Sequence, residues 1–410
     1  MRLFLLTFFL LVVNMGLCTP ECGAATPAPA AFLLLDPAAM AAYKAAYKAG
    51  GKIETIEVQQ VLREADRVLK RSPYTIATKP QTPPSGDKHD FISQAPYWWP
   101  DPTKPDGLPY IQKDGLHNPE AKNMKDDEVL GDCCTDVSAL ALAYYFSGDE
   151  RYAKQAAAFL QAFFLSPATR MNPNLNFGQG IPGINTGRGF GIIGTRHLVR
   201  IPEAVALLNG SPTADAALVQ GLKSWFRDYT TWLMTSPIAL PEGQTKNNHG
   251  TYYDAQVVDF ALFTGDEKLA RQTLQQQSWP RIATQLQPDG AQSLELARTR
   301  PWNYAVMNLQ GLMRLALLAP HVGLDLWHYT TPDGRSLRGA VEWFRPYLLG
   351  QKKMEKADVA ATSETLILQQ YALAHRVYPD LPVTDVLATR PGFNPVPWAY
   401  SSKSPCGVEN

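Results

Sequence analysis

The sequence predicts an all-α protein, an incomplete α/α toroid built from repeated helical hairpins, with long loops over one end. Three observations carry that prediction. Apolar residues recur at helical spacing, as in 53–69, where Ile53, Ile56, Val58, Val61, Leu62, Ala65, Val68 and Leu69 line one face. Convincing strand-like alternation is missing, and Pro, Gly and Asn fill the intervening segments. An internal echo, Phe146-Ser-Gly-Asp-Glu-Arg151 and Phe263-Thr-Gly-Asp-Glu-Lys268, twice joins an apolar helix to an amphipathic one.

Helices are expected near 53–69, 136–146, 151–165, 215–235, 251–263, 267–277, 302–318, 336–349 and 360–378. In the echoed turns Gly148 and Gly265 suit a left-handed helix C-cap, while Asp149 and Asp266 suit the start of the next helix. Hairpins repeated along the chain imply inner helices that run parallel and open their N-termini at one end; a small bundle or an open solenoid is the alternative. The run Lys125-Asp126-Asp127-Glu128 is expected to be a solvated helix start. Two stretches break the rhythm. Residues 76–125 are rich in Pro, Asp and aromatics, and 171–196 hold Gln179 and Arg188 among glycines and asparagines. Long loops of this kind are usually functional, and these two are expected to wall a cleft.

Met1, Arg2 and the apolar run Leu3 to Val13, followed by small residues, read as an export signal over 1–25, cleaved near Ala24 or Ala25. Residues 26–410 are then expected to form a single toroid domain, soluble and either periplasmic or secreted. No later stretch approaches the length of a membrane span. Lysines plus arginines equal acids, 38 against 38, so a global field that would mark a nucleic-acid binder is lacking. An anionic partner must be met locally. Cys133, Cys134 and Cys406 follow the signal, an odd set with no zinc spacing, although a bridge from Cys406 to one of the others is possible. The expected oligomeric state is monomer.

The most informative segment is Lys246-Asn247-Asn248-His249-Gly250-Thr251-Tyr252-Tyr253-Asp254, placed at a helix N-terminus. Unpaired backbone N–H groups and the helix dipole favour an anion there. A second segment, Leu294-Glu-Leu-Ala-Arg298-Thr-Arg300-Pro301-Trp302-Asn303-Tyr304, puts Pro301 at a first helical position, Arg298 just outside the helix and Tyr304 in its first turn. If both helices are inner ones, the segments converge. Together they match β-elimination from a uronate, which needs the C6 carboxylate neutralised, a base for the C5 proton and an acid for the departing O4. Asn248, with Asn247 and Arg298, would hold the carboxylate. Tyr304, its phenolate favoured by the arginine, would move protons with His249 beside it. In D-mannuronate and D-glucuronate the C5 hydrogen and O4 share a face, so Tyr304 can be both base and acid; on L-guluronate His249 would be base and Tyr304 acid. Neither metal nor cofactor is required, since amides and arginines take that part.

These residues resemble a known family. Asn247-Asn-His249, then Leu294-Glu-Leu-Ala-Arg298 and Tyr304, look like the alginate lyase superfamily of α/α-toroid polysaccharide lyases. The strings Lys88-His-Asp-Phe, Tyr97-Trp-Trp-Pro and Asn247-Asn-His-Gly-Thr-Tyr-Tyr-Asp are similar to the branch with mannuronan and glucuronan lyases. The resemblance spans roughly 85–375 and implies Asn248, His249, Arg298 and Tyr304 as catalytic residues. In better-known members the arginine and tyrosine stand seven apart; here they stand six apart, which keeps Arg300 as an alternative to Arg298. Asn247, Arg300, Gln179, Arg188, Tyr97, Trp98, Trp99 and Tyr253 are the expected substrate contacts on an acidic polysaccharide. Two rival functions remain at this level: a glycoside hydrolase using Asp254, Asp259 or Glu295, and a non-catalytic polyuronate binder.

Overall fold

The computed structural model describes residues 31–359 and 364–398; the expected signal, Cys406 and the start of the helix expected at 360 lie outside the described residues. In chain order the helices are α1 (Pro37–Lys48), α2 (Lys52–Val68), α3 (Asp126–Ser147), α4 (Glu150–Leu160), α5 (Arg200–Leu207), α6 (Ala216–Thr235), α7 (Leu240–Gly243) and α8 (Asn248–Thr264). There follow α9 (Glu267–Thr273), α10 (Trp279–Gln285), α11 (Ser293–Leu296), α12 (Pro301–Leu318), α13 (Leu337–Glu342), α14 (Arg345–Leu348), α15 (Thr365–Val377) and α16 (Val383–Ala388).

Burial sorts them into two layers. Helices α3, α8 and α12 are apolar or buried on nearly all sides, so they line the interior; α2 and α4 bury a single stripe and lie outside. Helix α3 packs on α2, α4 and α5, and α8 packs on α6, α9 and α12. The echoed turns adopt the expected geometry: Gly148 and Gly265 close α3 and α8 at φ 73° and 87°, and Asp149 and Asp266 accept backbone N–H groups at the starts of α4 and α9. At Gly311 a Cβ would come within 2.8 Å of Thr251, so the glycine lets α12 lie close against α8.

Several expected helices are modified by their sequences. The helix expected over 267–277 becomes α9, a π-helical turn Leu274–Ser278 and α10. Pro280 explains the turn, because its missing N–H and its ring do not fit an unbroken α-helical ladder. Pro346 likewise splits 336–349 into α13 and α14. The acidic run at 125–128 is not wholly solvated. Asp126 is buried, pairs with Lys79 at 2.9 Å and accepts the Ile92 N–H at 2.9 Å, tying the first long loop to the start of α3.

Four short strands appear where none was expected. β1 (Ile92–Gln94) pairs in parallel with β4 (Phe177–Gly180), and β2 (Trp98–Trp99) pairs antiparallel with β3 (Ile111–Gln112). The β1–β4 pair joins the two long loops. Further bonds reinforce the join, from Tyr110 N–H to the Pro182 carbonyl at 3.1 Å and from Asn172 to Asp90 at 2.8 Å. The loops therefore make one continuous wall.

Candidate active site

Helix α8 begins with Asn247 as N-cap, whose side-chain oxygen accepts the His249 N–H at 3.1 Å. A buried amide network fixes this start. Gln285 accepts from Thr251 at 3.0 Å and from Asn308 at 2.9 Å, and it donates to the Asn247 carbonyl at 3.2 Å. Behind it, Arg281 bonds both Asp254 oxygens, at 2.6 and 2.9 Å, and donates to the carbonyls of Gly243 and Thr245 at 2.8 and 2.7 Å. Asp254 is thus committed to holding the turn before α8.

Asn248 is fully buried and gripped by Glu295: its backbone N–H donates to one carboxylate oxygen at 2.7 Å and its Nδ2 to the other at 2.6 Å. Its Oδ1 has no hydrogen-bond partner among the described residues. Burial pushes the Glu295 carboxyl up, and the two Asn248 bonds, Arg298 and His249 pull it back. Glu295 therefore ties the segment that carries Arg298 to the start of α8. His249 Nδ1 contacts Glu242 Oε1, and the Phe190 ring lies 4.6 Å from the imidazole between centroids.

Across the site, Tyr304 is 7% exposed in the first turn of α12. Its hydroxyl lies 2.9 Å from the Tyr97 hydroxyl and accepts from Arg298 Nη2 at 3.1 Å, while the guanidinium sits 4.1 Å from its ring centroid. Arg298 is in turn held by Asp114, at 2.9 Å. Burial first, then Tyr97, pushes the Tyr304 phenol well above its ordinary value; Arg298 acts the other way and is outweighed. The pull of the arginine toward the phenolate, expected from the sequence, is present but outweighed by burial and Tyr97.

The remaining expected contacts divide. Arg188 donates to Gln179 at 2.9 Å and stacks over Phe190 at 4.5 Å, with Trp98 at 5.8 Å; burial lowers its pKa to about 10. Gln179 holds the left-handed φ of 49°, which marks a special conformation for a residue with a side chain. Trp99 donates its indole N–H to the Leu116 carbonyl at 2.9 Å and keeps a half-buried ring. Arg300 is buried and caps α12, and its backbone carbonyl, not its guanidinium, bonds Tyr304. Arg298 is thus the arginine on the tyrosine. Tyr253 is a correction: it turns into the core, where its hydroxyl donates to the Leu233 carbonyl at 2.5 Å, and it offers a substrate nothing.

Sequence reasoning missed Glu242, Asp114 and Phe190. Glu242 sits in a four-residue helix with no periodicity to flag it, and Asp114 is one of many acids in the first loop. Glu295 was weighed only as a hydrolase carboxylate. Asp259, the third hydrolase candidate, is fully buried on α8. A cavity of 320 Å³ between Gly187–Phe190 and Pro237–Thr245 adjoins the His249 side; a larger one of 520 Å³ lies between α4 and α6 and includes none of these residues. Among the described residues, no group of three His, Cys, Asp or Glu side chains is gathered for a metal.

A family profile described as alginate lyase matches residues 75–354. The chain belongs to the alginate lyase family. The crystal structure of an alginate lyase from Bacteroides ovatus superposes with a TM-score of 0.84 at 36% identity, covering 92% of this chain and 100% of that one. Alginate lyase A1-III from Sphingomonas species A1 aligns at 16% identity with a TM-score of 0.47, covering 83% and 89% of the two chains. Heparan sulfate lyase HepC from Pedobacter heparinus aligns at 15% and 0.41, covering 88% and 55%. Comparison with curated protein sequences gives no match. The protein is accordingly a polysaccharide lyase on an α/α toroid, the fold expected from its sequence.

Proposed function

We propose that this alginate lyase family member cleaves β-1,4-linked D-uronate polymers, polymannuronate or glucuronan, by β-elimination that leaves a 4,5-unsaturated uronate at the new chain end. The observation that carries the reading is the Tyr304 hydroxyl, met by Arg298 and Tyr97, with Glu295 of the Arg298 segment bonded to Asn248. The substrate carboxylate is assigned to the Asn248 amide and to Arg298, with Asn247 adjoining. Neutralised in this way, it acidifies the C5 proton. The Tyr304 phenolate takes that proton as the C5–H bond breaks and charge moves into the carboxylate. The C4–O4 bond then breaks, C4=C5 forms, and Tyr304 returns the proton to O4. One residue serves both steps because the two atoms share a face in D-uronates. His249 assists at the carboxylate, and on an L-guluronate unit it would be the base with Tyr304 as acid. Trp98, Trp99, Gln179 and Arg188 line the wall that a chain would lie against. The leader-like start supports export to the periplasm or medium.

The hydrolase reading loses its carboxylates: Asp254 is spent on Arg281, Glu295 on Asn248, and Asp259 is buried. Mass analysis of products from polymannuronate, polyguluronate and β-1,4-glucuronan tests the proposal. Fragments one water lighter than hydrolysis products, from a D-uronate polymer, are expected. Hydrated fragments from every polymer would overturn it.

A further inference from the structure

Glu242 lies in α7, seven residues before His249, and is only 1% exposed. A carboxylate so removed from water needs compensation, and among the described residues Oε1 contacts His249 Nδ1 while Oε2 has no hydrogen-bond partner. Its place is fixed from several sides. A Cβ on Gly189 would fall 3.2 Å from the Glu242 Cβ and 2.6 Å from the Ile238 carbonyl, so only glycine allows the loop to close over it. The turn that follows is pinned by Arg281 through Gly243 and Thr245. On the imidazole itself, Phe190 covers part of the ring and the side chain is left 13% exposed.

We infer that Glu242 is a positioning residue for the elimination: it accepts the Nδ1–H of His249, which leaves Nε2 as the atom turned to the substrate, and its charge steadies the imidazolium. This deepens the lyase reading and rests on it. Glu242 meets the site through its contact with His249 Nδ1, so it acts through the ring. Two other charged groups bear on the pair. They are Glu295 on α11, on the His249 side, and Arg188 from the wall, on the Glu242 side. In either role, as base or as donor to the carboxylate, His249 must carry positive charge during turnover, and a buried carboxylate on its far nitrogen is the arrangement that supports this.

The test pairs E242Q and E242D with the wild-type enzyme on whichever uronate polymer the wild type cleaves. Glutamine keeps the size but removes the charge and can present an amide N–H to Nδ1, forcing the other tautomer. The expected loss in kcat is about 10²–10⁴-fold with KM nearly unchanged, by analogy with carboxylate–histidine pairs elsewhere. E242D, which keeps the charge, should recover at least about tenfold of the loss. Nitrogen NMR of the ring in the wild-type protein reads the tautomer without reference to activity, and Nδ1–H is expected. A wild type that cleaves by elimination while E242Q stays within threefold in kcat would overturn the inference alone; so would an Nε2–H tautomer. A wild type that leaves every uronate polymer intact would instead remove the lyase reading, with the NMR result still deciding the pairing.

Discussion

Replacing Arg298 by glutamine removes the cation bonded to the Tyr304 hydroxyl and leaves the phenol among burial, Tyr97 and Asp114, all of which oppose its ionisation. The guanidinium nitrogen lies 3.1 Å from that oxygen. Unit charges about 4 Å apart at an effective dielectric of about 20 interact by about 4 kcal/mol. Asp114 shares the same nitrogen at 2.9 Å and cancels part of that field. Allowing roughly half leaves about 2 kcal/mol, or about 1.5 pKa units. A base works when deprotonated, and the Tyr304 pKa is already raised, so activity should climb toward alkaline pH. In R298Q the rising limb of kcat/KM should move further up by about 1.5 units, and activity below the limb should fall about 30-fold. The assay is the pH profile of unsaturated product formed from a D-uronate polymer. A limb that stays in place would refute the argument, even if activity fell, because Arg298 would then be serving the substrate carboxylate alone.

Other substitutions test the scaffold around that chemistry. N248A strips the buried Glu295 carboxylate of its 2.6 Å side-chain donor and should cost on the order of 3 kcal/mol in denaturant unfolding, together with elimination activity. D254N leaves Arg281 buried without its charge partner, at about 3–5 kcal/mol by thermal or denaturant melts; a stable but dead D254N would restore the hydrolase reading. G250A would ordinarily gain about 1 kcal/mol in a helix, yet a Cβ there meets the Thr245 carbonyl at 2.2 Å and Arg281 Nη1 at 2.3 Å, so a lowered Tm is expected.

The fold was legible where it depends on local chemistry. Apolar spacing gave α2, α6, α8 and α12, and the Gly-Asp turns at 148–149 and 265–266 announced the hairpins. Less was visible where tertiary contact decides. Strands β1 and β4 are too short to show alternation and exist because two distant loops meet. Asp126 looked like one of a solvated acidic run until Lys79 and Ile92 enclosed it. The site divides in the same way. Asn248, His249, Arg298 and Tyr304 stand in dense motifs at two helix starts, and the structure gathers both starts around Glu295. Their supports were not visible. Glu242 and Asp114 lie in short or irregular segments, and only the folded chain brings them to His249 and Arg298. Tyr253 sits in the motif itself but faces α6, a direction that helical phase alone did not reveal.

The most direct measurement is ultraviolet absorbance at the unsaturated-uronate band while wild-type protein and Y304F act on polymannuronate and β-1,4-glucuronan, with melting curves to show that both are folded. The account predicts a steady rise with the wild type on at least one polymer and none with folded Y304F. A rise of equal rate with Y304F would contradict it, because the proton would then be moving through some group other than the hydroxyl that Arg298 and Tyr97 hold.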